Sequence, residues 1–359
     1  MELDTKLRAV RASLTEAKLG GLRLRGTDWF AWATCGGSNA VLLTTDTGVA
    51  EVWITAQGAW VLTDAIEAPR LAAEEVPPGL ELWSGPWAEP QRREQLVAAT
   101  RGPGSIASDR PVAGEVALPA ALVRARSALL PEELDRYRAL GRDAAEAMTE
   151  VLRAARPGWT GFQLAGAGAE ALWSRRIHPA LTLVAGERRL PLHRHATPSS
   201  ERLGARAMLV FCGRRHGLFA NLTRFVAFRA PSTTERKLDD DVARVEAAAL
   251  DASRPGATLG SVFQAMTARY RELGHLGAEL LHHQGGPCGY LSRDAVATAA
   301  STVTLQPNNA VAWNPSLPGA KIEDTVLVGP RGALEVLTVD EAWPVREVEG
   351  RKRPQVLLA

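Results

Sequence analysis

An internal repeat constrains the fold of this chain more than any other feature of its sequence. The segment RAARPGWTGFQLAGAGAEAL, which begins at Arg153, can be laid over LDASRPGATLGSVFQAMTAR, which begins at Leu250. In each copy an Arg-Pro-Gly triplet ends one helical pattern, and a Thr that can cap the next amphipathic helix follows it. Strand-like segments come after both copies, so the order helix, RPG, helix, strand occurs twice. A duplicated ααβ unit of this kind predicts a cleft between the two halves of one curved antiparallel sheet.

The chain length predicts two domains, because 359 residues are more than a single core usually holds. We place the boundary near residue 125, which divides the chain into 1–125 and 126–359. The first part begins with a helical pattern at residues 3–18 and continues with short β-rich segments, so it predicts a small α/β domain. Residues 85–118 are rich in Pro, Gly and Arg and predict a loop and a connection. The fold class predicted for the whole chain is α+β.

Composition argues against several classes of partner. The 42 basic and 40 acidic side chains give a net charge of +2, too small a field to indicate binding to nucleic acid or anionic membranes. No apolar run approaches the roughly 18 residues of a membrane span, and the N-terminus lacks the pattern of a signal peptide. The three cysteines are widely spaced and form no CxxC pair, which favours a reducing cytoplasm.

Histidines are the most prominent candidate site residues, but carboxylates near them are few. His193 and His195 lie two apart in a predicted strand, where they would face one side and could either bind a metal or form a polar edge. The strands predicted within residues 207–226 contain no carboxylate, and the segment AWNPSLPGAKIEDTV offers only Glu323 and Asp324. Because pairs of hard divalent ions need several carboxylates, a dinuclear metal site is improbable on this pattern.

Cys288 is a second candidate, because it follows a Gly-rich turn close to His282 and His283. A cationic neighbour could activate its thiolate as a nucleophile. The alternative is a small buried packing residue, which is common for free cysteine. We favour packing, since no cysteine-hydrolase motif surrounds it.

The order of these pieces resembles the creatinase, aminopeptidase P and prolidase superfamily, whose fold is called pita-bread. The helical segment at 125–148 resembles the first helix of that domain, and HATPS at 195–199 its histidine strand. FCGRRHGLFANLTR at 211–224 resembles the "DxG…GYxxDxTR" segment, HHQGGPCGY at 282–290 "HxxGHxxG", and AWNPSLPGAKIED at 312–324 "EPG…IED". The resemblance covers essentially the whole chain and implies a C-terminal pita-bread domain with a smaller, creatinase-like N-terminal domain.

The resemblance also locates the positions where active peptidases of the superfamily hold two metal ions with two Asp, one His and two Glu. In this sequence the five positions hold Phe211 (with one residue deleted in the following turn), Asn221, Gly286, Asn314 and Glu323. Only Glu323 keeps the residue type, and a neutral Asn cannot supply the charge of a bridging carboxylate. We therefore expect no tightly bound metal pair and no cofactor.

Creatinase has this fold without metal and cleaves a C–N bond with a histidine and carboxylates. By that analogy His195 is the general acid and base, Glu323 anchors a cationic or N–H group of the substrate, and His282 completes the catalytic group. The resemblance gives further substrate contacts to Arg293, Asn221, Asn314, His283 and Arg224. The two arginines would favour a substrate with its own carboxylate.

The function predicted from these residues is metal-independent hydrolysis of a small substrate with an amide, peptide-like or guanidino C–N bond. One alternative is a non-catalytic pita-bread pseudopeptidase that binds a ligand or a protein. Another is an Xaa-Pro dipeptidase or aminopeptidase with a degenerate metal site. The expected ligand is a small molecule or short peptide, and the resemblance further implies a homodimer.

Overall fold

A computed structural model describes residues 1–359 and divides into two compact units, Met1–Glu133 and Leu134–Ala359. The boundary predicted near residue 125 falls within a helix of the first unit, α5, which spans Ala120–Ser127. None of the helices combines the length and the apolar content that crossing a membrane requires.

A six-stranded sheet with the spatial order β4-β3-β2-β1-β5-β6 forms the centre of the first unit. Its strands are β1 (Leu19–Gly26), β2 (Thr47–Ile54), β3 (Ala59–Asp64), β4 (Glu81–Gly85), β5 (Ser105–Ser108) and β6 (Glu115–Ala117). The other helices of this unit are α1 (Glu2–Glu16), α2 (Thr27–Ala33), α3 (Ala68–Glu74) and α4 (Gln91–Thr100). Strands β1 to β3 pair antiparallel, whereas β4, β5 and β6 each join in parallel. The predicted N-terminal helix and the β-rich segments after it are confirmed.

The prediction of a loop and connection over residues 85–118 is wrong. That segment contains α4, β5 and β6. Helix α4 has a polar sequence in which Val97 is the one buried residue, so the apolar periodicity that reveals most helices is weak. Strand β5 is only four residues long and is held by its parallel pairing with β1. Tertiary contacts therefore decide the structure of a segment whose composition suggested a loop.

The second unit contains two half-sheets and the helices that precede each of them. The first half comprises α6 (Pro131–Ala154), α7 (Gly161–Trp173), β7 (His178–Gly186), β8 (Arg206–Arg215) and β9 (Leu218–Ala227). The second half comprises α8 (Thr233–Ala252), α9 (Leu259–Glu272), β10 (Gly285–Cys288), β11 (Asn309–Trp313), β12 (Ser316–Leu317), β13 (Ala320–Lys321), β14 (Asp324–Val328) and β15 (Leu334–Val336). The C-terminal strands are β16 (Val345–Val348), β17 (Arg351–Pro354) and β18 (Leu357–Leu358). Short 3-10 turns span Ala278–Leu280 and Pro330–Gly332.

The repeat predicted from the sequence is confirmed in these two halves. Both Arg-Pro-Gly triplets lie between consecutive helices, and the Thr that follows each triplet is the N-cap of the next helix. The Thr160 hydroxyl accepts a hydrogen bond from the Gln163 amide at 3.2 Å, and Thr258 accepts one from the Ser261 amide at 3.0 Å. The cap satisfies an amide that the first helical turn leaves unpaired.

The two half-sheets meet where β9 lies beside residues 323–325. One sheet has the order β18-β9-β8-β7 and the other β10-β11-β14-β15. Between them, Thr223 of β9 pairs antiparallel with Glu323, and the Thr223 amide donates to the Glu323 carbonyl at 3.0 Å. This junction places the polar side chains of both halves next to each other, which is where the cleft was expected.

Candidate active site

Three histidines from both halves of the repeat form the centre of the site. His195 lies in the connection between β7 and β8, while His282 and His283 lie between the 3-10 turn and β10. The Nε2 atoms of His195 and His282 are 3.0 Å apart, and the rings of His282 and His283 stack with centroids 4.6 Å apart. One potential ligand atom from each of the three side chains lies within 4.8 Å of the others.

The strand predicted for His193 and His195 does not form. Residues 187–205 make turns instead, and the amide of His193 donates to the Arg189 carbonyl at 3.1 Å. Pro191 in this segment lacks the amide hydrogen that a continuing strand would need. As a result His195 joins the cluster and His193 lies outside it, although the side chains of both residues are exposed.

Burial keeps the cluster uncharged. It lowers the pKa of His195, and the positive charges of Lys321 and Arg293 lower it further against the opposing effect of Glu323. Burial and the Lys321 charge lower the pKa of His282 to about 2, and burial with the Arg293 charge lowers that of His283 to about 4. At neutral pH the rings are therefore neutral imidazoles, each of which has one nitrogen able to accept a proton.

Glu323 lies between two cations. Its Oε1 atom is 2.5 Å from Nη2 of Arg293, and its Oε2 atom is 3.1 Å from Nζ of Lys321 and 2.9 Å from the Thr223 hydroxyl. Burial alone would raise the pKa of Glu323, but Lys321 and Arg293 more than offset it and hold the pKa at about 2. The Glu323 side chain is 3% exposed and that of Lys321 5%, so water screens the triad weakly.

Lys321 is a site residue that the motif comparison did not find. It lies on β13, two residues before Glu323 and directly before the three residues that resemble the "IED" motif. A lysine in a segment that is predicted to be buried indicates a charged partner nearby, since lysine is almost never fully buried without one.

The residue that faces the site from β8 is Cys212, and the placement of Phe211 at the first ligand position is wrong. In the β8–β9 hairpin Cys212 is paired with Asn221, and paired residues of antiparallel strands point to the same face. Phe211 is paired with Leu222 and points the other way, where its ring lies against Gly168 of α7. Shortening the turn by one residue shifts the pairing of the two strands by one residue, so Cys212 rather than Phe211 lies opposite Asn221. Burial raises the pKa of Cys212 to about 12, so it is a neutral thiol.

Two asparagines and one glycine complete the set predicted from the motif. The side-chain oxygens of Asn221 and Asn314 are buried and accept no hydrogen bond from the protein. A Cβ atom on Gly286 would lie 2.2 Å from the Ala295 carbonyl oxygen, so this position has no room for a side chain. The site therefore presents two unpaired amide oxygens, and an imidazole cannot replace Gly286 without moving the backbone.

Arg224 lies outside the histidine cluster and lines a neighbouring cavity, where its guanidinium binds groups of the protein. Its Nη2 atom donates to Asp324 Oδ1 at 2.7 Å and to the Thr338 carbonyl at 2.9 Å. Asp324 also accepts from Arg353 at 2.7 Å, and Arg353 pairs with Glu246 of α8. These buried ion pairs join the start of β14 to α8 and the C-terminal strands, and they occupy both terminal nitrogens of Arg224.

Cys288 has the surroundings of a packing residue. Its thiol is buried and lies 3.4 Å from the Tyr137 hydroxyl. Burial raises its pKa to about 11, which keeps it protonated at neutral pH. A thiol activated for nucleophilic attack would need the opposite shift.

The comparisons with known proteins assign the family. Residues 135–330 match the family described as metallopeptidase family M24. This chain belongs to metallopeptidase family M24. Its fold is that of an Xaa-Pro dipeptidase from Bacillus anthracis, with a TM-score of 0.77, 16% identity and coverage of 99% of this chain and 100% of that one. An X-Pro aminopeptidase from Thermotoga maritima gives a TM-score of 0.78 at 15% identity and covers 99% of both chains. The predicted α+β fold, a small α/β domain followed by a pita-bread domain, is thereby confirmed.

A curated relative shares part of the sequence. The "Agropine synthesis cyclase" of Rhizobium rhizogenes is 32% identical over 144 residues, which are 38% of this chain and 36% of that protein. The match therefore spans about a third of the length of this relative. The fold also occurs in the N-terminal domain of the FACT complex subunit SPT16 from chickpea, with a TM-score of 0.68 and 12% identity over 94% of this chain and 96% of that one.

The low pKa of His282 predicts an acid-sensitive stability for this M24 protein. An unfolded histidine takes up a proton near pH 6.5, but folded His282 does so only near pH 2, so stability is complete above 6.5 and falls below it. Between pH 7 and pH 5 we expect His282 alone to lower the free energy of unfolding by about 2 kcal/mol. Urea unfolding at both pH values should show this loss for the wild type and for the control His193→Gln, and a smaller loss for His282→Gln. Equal pH dependence in all three proteins would contradict the assignment.

Proposed function

We propose that this M24 protein hydrolyses a C–N bond of a small molecule without a metal pair. The observation that carries the proposal is that two side-chain cations, Lys321 and Arg293, occupy both oxygens of Glu323. Glu323 is the one residue that keeps the type of a family metal ligand. A carboxylate held by an ammonium and a guanidinium group has little remaining capacity for metal ions, which those charges also repel.

The other residues of the site do not fit a dinuclear metal centre. Asn221 and Asn314 offer neutral oxygens, Cys212 is a protonated thiol, and Gly286 has no side chain. Hard divalent ions take carboxylate oxygens, and two adjacent ions need the negative charge that bridging carboxylates supply. Lys321 and Arg293 instead provide the positive charge of the site from the chain itself.

The three-histidine cluster also lacks the support that a metal site needs. The Nδ1 atoms of His282 and His283 are buried and have no hydrogen-bond partner. A metal-binding imidazole usually donates its second ring nitrogen to a carboxylate, a carbonyl or water, which fixes the ring and raises its basicity. Lys321 lowers the pKa of both side chains and Arg293 lowers that of His283, and the same positive field opposes a metal cation.

His195 is the general base of the proposed reaction, and its lowered pKa keeps it neutral at pH 7. A water molecule adds to the amide carbon while its proton moves to His195. The negative charge that forms on the amide oxygen is stabilised by Arg293. The C–N bond then breaks and His195 returns the proton to the leaving nitrogen, so amide and water become a carboxylic acid and an amine. His282, 3.0 Å from His195, orients the ring.

In this proposal Glu323 has a different role from the one predicted. The sequence suggested that Glu323 anchors a cationic group of the substrate. Both of its oxygens already bind cations of the protein, so we assign it the positioning of Arg293 and Lys321. Asn221 and Asn314 keep buried oxygens without partners, and these can accept hydrogen bonds from N–H groups of the substrate.

A cyclase is the second candidate, and the name of the Rhizobium rhizogenes relative favours it. The same catalytic groups would serve a reaction in which a nucleophile of the substrate, rather than water, attacks the acyl carbon.

The experiment that separates the two candidates is a screen of small amides, dipeptides, guanidino acids and ureido acids with chelator present, with products identified by mass spectrometry. Hydrolysis adds the mass of water to the substrate, whereas cyclisation with loss of an amine or water lowers the mass. No turnover of any compound would favour the non-catalytic alternative.

A further inference from the structure

A cavity of about 730 Å³ lies in the second unit beside Glu323. It is bounded by the end of β9, the region around β13, the start of α8 and the C-terminal strands. The volume is in the range of small-molecule binding sites. None of the predicted catalytic residues lines it.

Two residues connect this cavity to the site. Thr223 and Lys321 both line it, and both contact the Oε2 atom of Glu323, at 2.9 Å and 3.1 Å. The Oε1 atom of the same carboxylate contacts Arg293, whose charge acts on the histidine cluster. Glu323 therefore links Arg293, whose charge acts on the histidines, to the two residues at the inner end of the cavity.

Basic side chains outnumber acidic ones in the lining of the cavity, which contains Asp239 and Glu341 together with Arg153, Arg224, Arg236, Lys321 and Arg346. At its inner end Lys321 shares the Glu323 carboxylate with Arg293, which does not line the cavity, and this leaves one buried positive charge uncompensated within that triad. At the exposed rim, Arg153 donates to the Ala342 carbonyl, and Arg236 donates to the Pro231 carbonyl and the Thr233 hydroxyl. These contacts involve no carboxylate, so neither rim guanidinium is neutralised by them. A buried excess of positive charge favours an anionic ligand.

The walls between these charges are largely apolar. They include Phe225, Ile322, Trp343, Val356 and Leu357. Apolar walls favour a ligand whose body is a hydrocarbon chain or ring, because its contact with them removes apolar surface from water. A fully hydrophilic anion would gain only the charge contacts.

We infer that this cavity binds the acidic part of the substrate, which is a carboxylic acid with an apolar body whose carboxylate pairs with Lys321. This rests on the proposed function for its link to catalysis, since the scissile bond would lie on the histidine side of Glu323. The binding itself depends only on the cavity and can be measured without turnover.

Isothermal titration calorimetry with hexanoate and hexanamide tests the inference. We expect hexanoate to bind the wild type at least about tenfold more tightly than hexanamide, because only the acid pairs with Lys321. The Lys321→Met variant should lose this preference. Lys237→Met is the matched control, because Lys237 lies on the surface of α8 with 62% of its side chain exposed, and it should behave as the wild type.

A second variant keeps the test valid if Lys321→Met fails to fold. Leu357→Trp fills the cavity from its wall without changing a charge, and it should weaken hexanoate binding at least about tenfold. Equal affinity for acid and amide, or unchanged binding in Leu357→Trp, would overturn the inference.

Binding to the cavity can be separated from catalysis, because His195→Gln should still bind hexanoate. A protein that binds hexanoate but hydrolyses nothing would refute the proposed function and leave the cavity assignment intact.

Discussion

Replacing Glu323 with Gln should lower the free energy of unfolding by about 3–5 kcal/mol, the range measured when one partner of a buried ion pair is removed. The physical reason is that Lys321 and Arg293 would remain buried with no countercharge. Their side chains are 5% and 14% exposed, so water can compensate only part of the loss. Urea denaturation at neutral pH measures the effect without knowledge of the substrate.

Two further proteins make this result specific. Glu335→Gln removes a carboxylate from the exposed pair with Arg138, and it should cost less than about 1 kcal/mol. The double variant Glu323→Gln/Lys321→Met removes one of the stranded cations and should recover part of the loss. A Glu323→Gln protein as stable as Glu335→Gln would mean that Lys321 and Arg293 are not held by this carboxylate.

Replacing His195 with Gln should reduce turnover by about 10²–10⁴-fold, the usual contribution of general acid–base catalysis. Glutamine can retain a hydrogen bond to His282 but cannot take a proton from water. The measurement is kcat on any amide found in the substrate screen. Since His195 acts on the reacting water, we expect KM to change much less than kcat.

His193→Gln is the matched control for this variant. It lies two residues away in the same turn-rich connection, and its exposed side chain is outside the cluster. It should keep wild-type kcat. Turnover that survives in His195→Gln and is lost in His193→Gln would place the base elsewhere in the connection. Equal turnover in both variants and the wild type would remove His195 from the mechanism.

The repeat and the fold could be predicted from the sequence because they depend on local signals. Arg-Pro-Gly followed by Thr marks a helix end and the next helix cap within a few residues, and both caps form as expected. The motif spacing then fixes which strands carry the site, and it brings His195, His282 and His283 together from distant parts of the chain.

The parts that the sequence did not reveal depend on register and on long-range charge pairing. A one-residue deletion in the β8–β9 turn exchanges Phe211 for Cys212 on the site face, and only the strand pairing shows where the register changes. The role of Lys321 depends on its contact with Glu323, and the partners of Arg224 lie at residues 324 and 338. Nothing in the local sequence around Arg224 distinguishes an arginine that binds a substrate from one that binds Asp324.

The metal content of the purified protein tests most directly whether its own cations replace the metal pair of the family. The protein would be produced in medium supplemented with manganese, cobalt and zinc, desalted without chelator, and analysed by inductively coupled plasma mass spectrometry. Because Lys321 and Arg293 occupy Glu323 and oppose cations at the histidines, we expect less than about 0.1 ion per chain. One or two ions per chain would contradict metal-independent chemistry at this site.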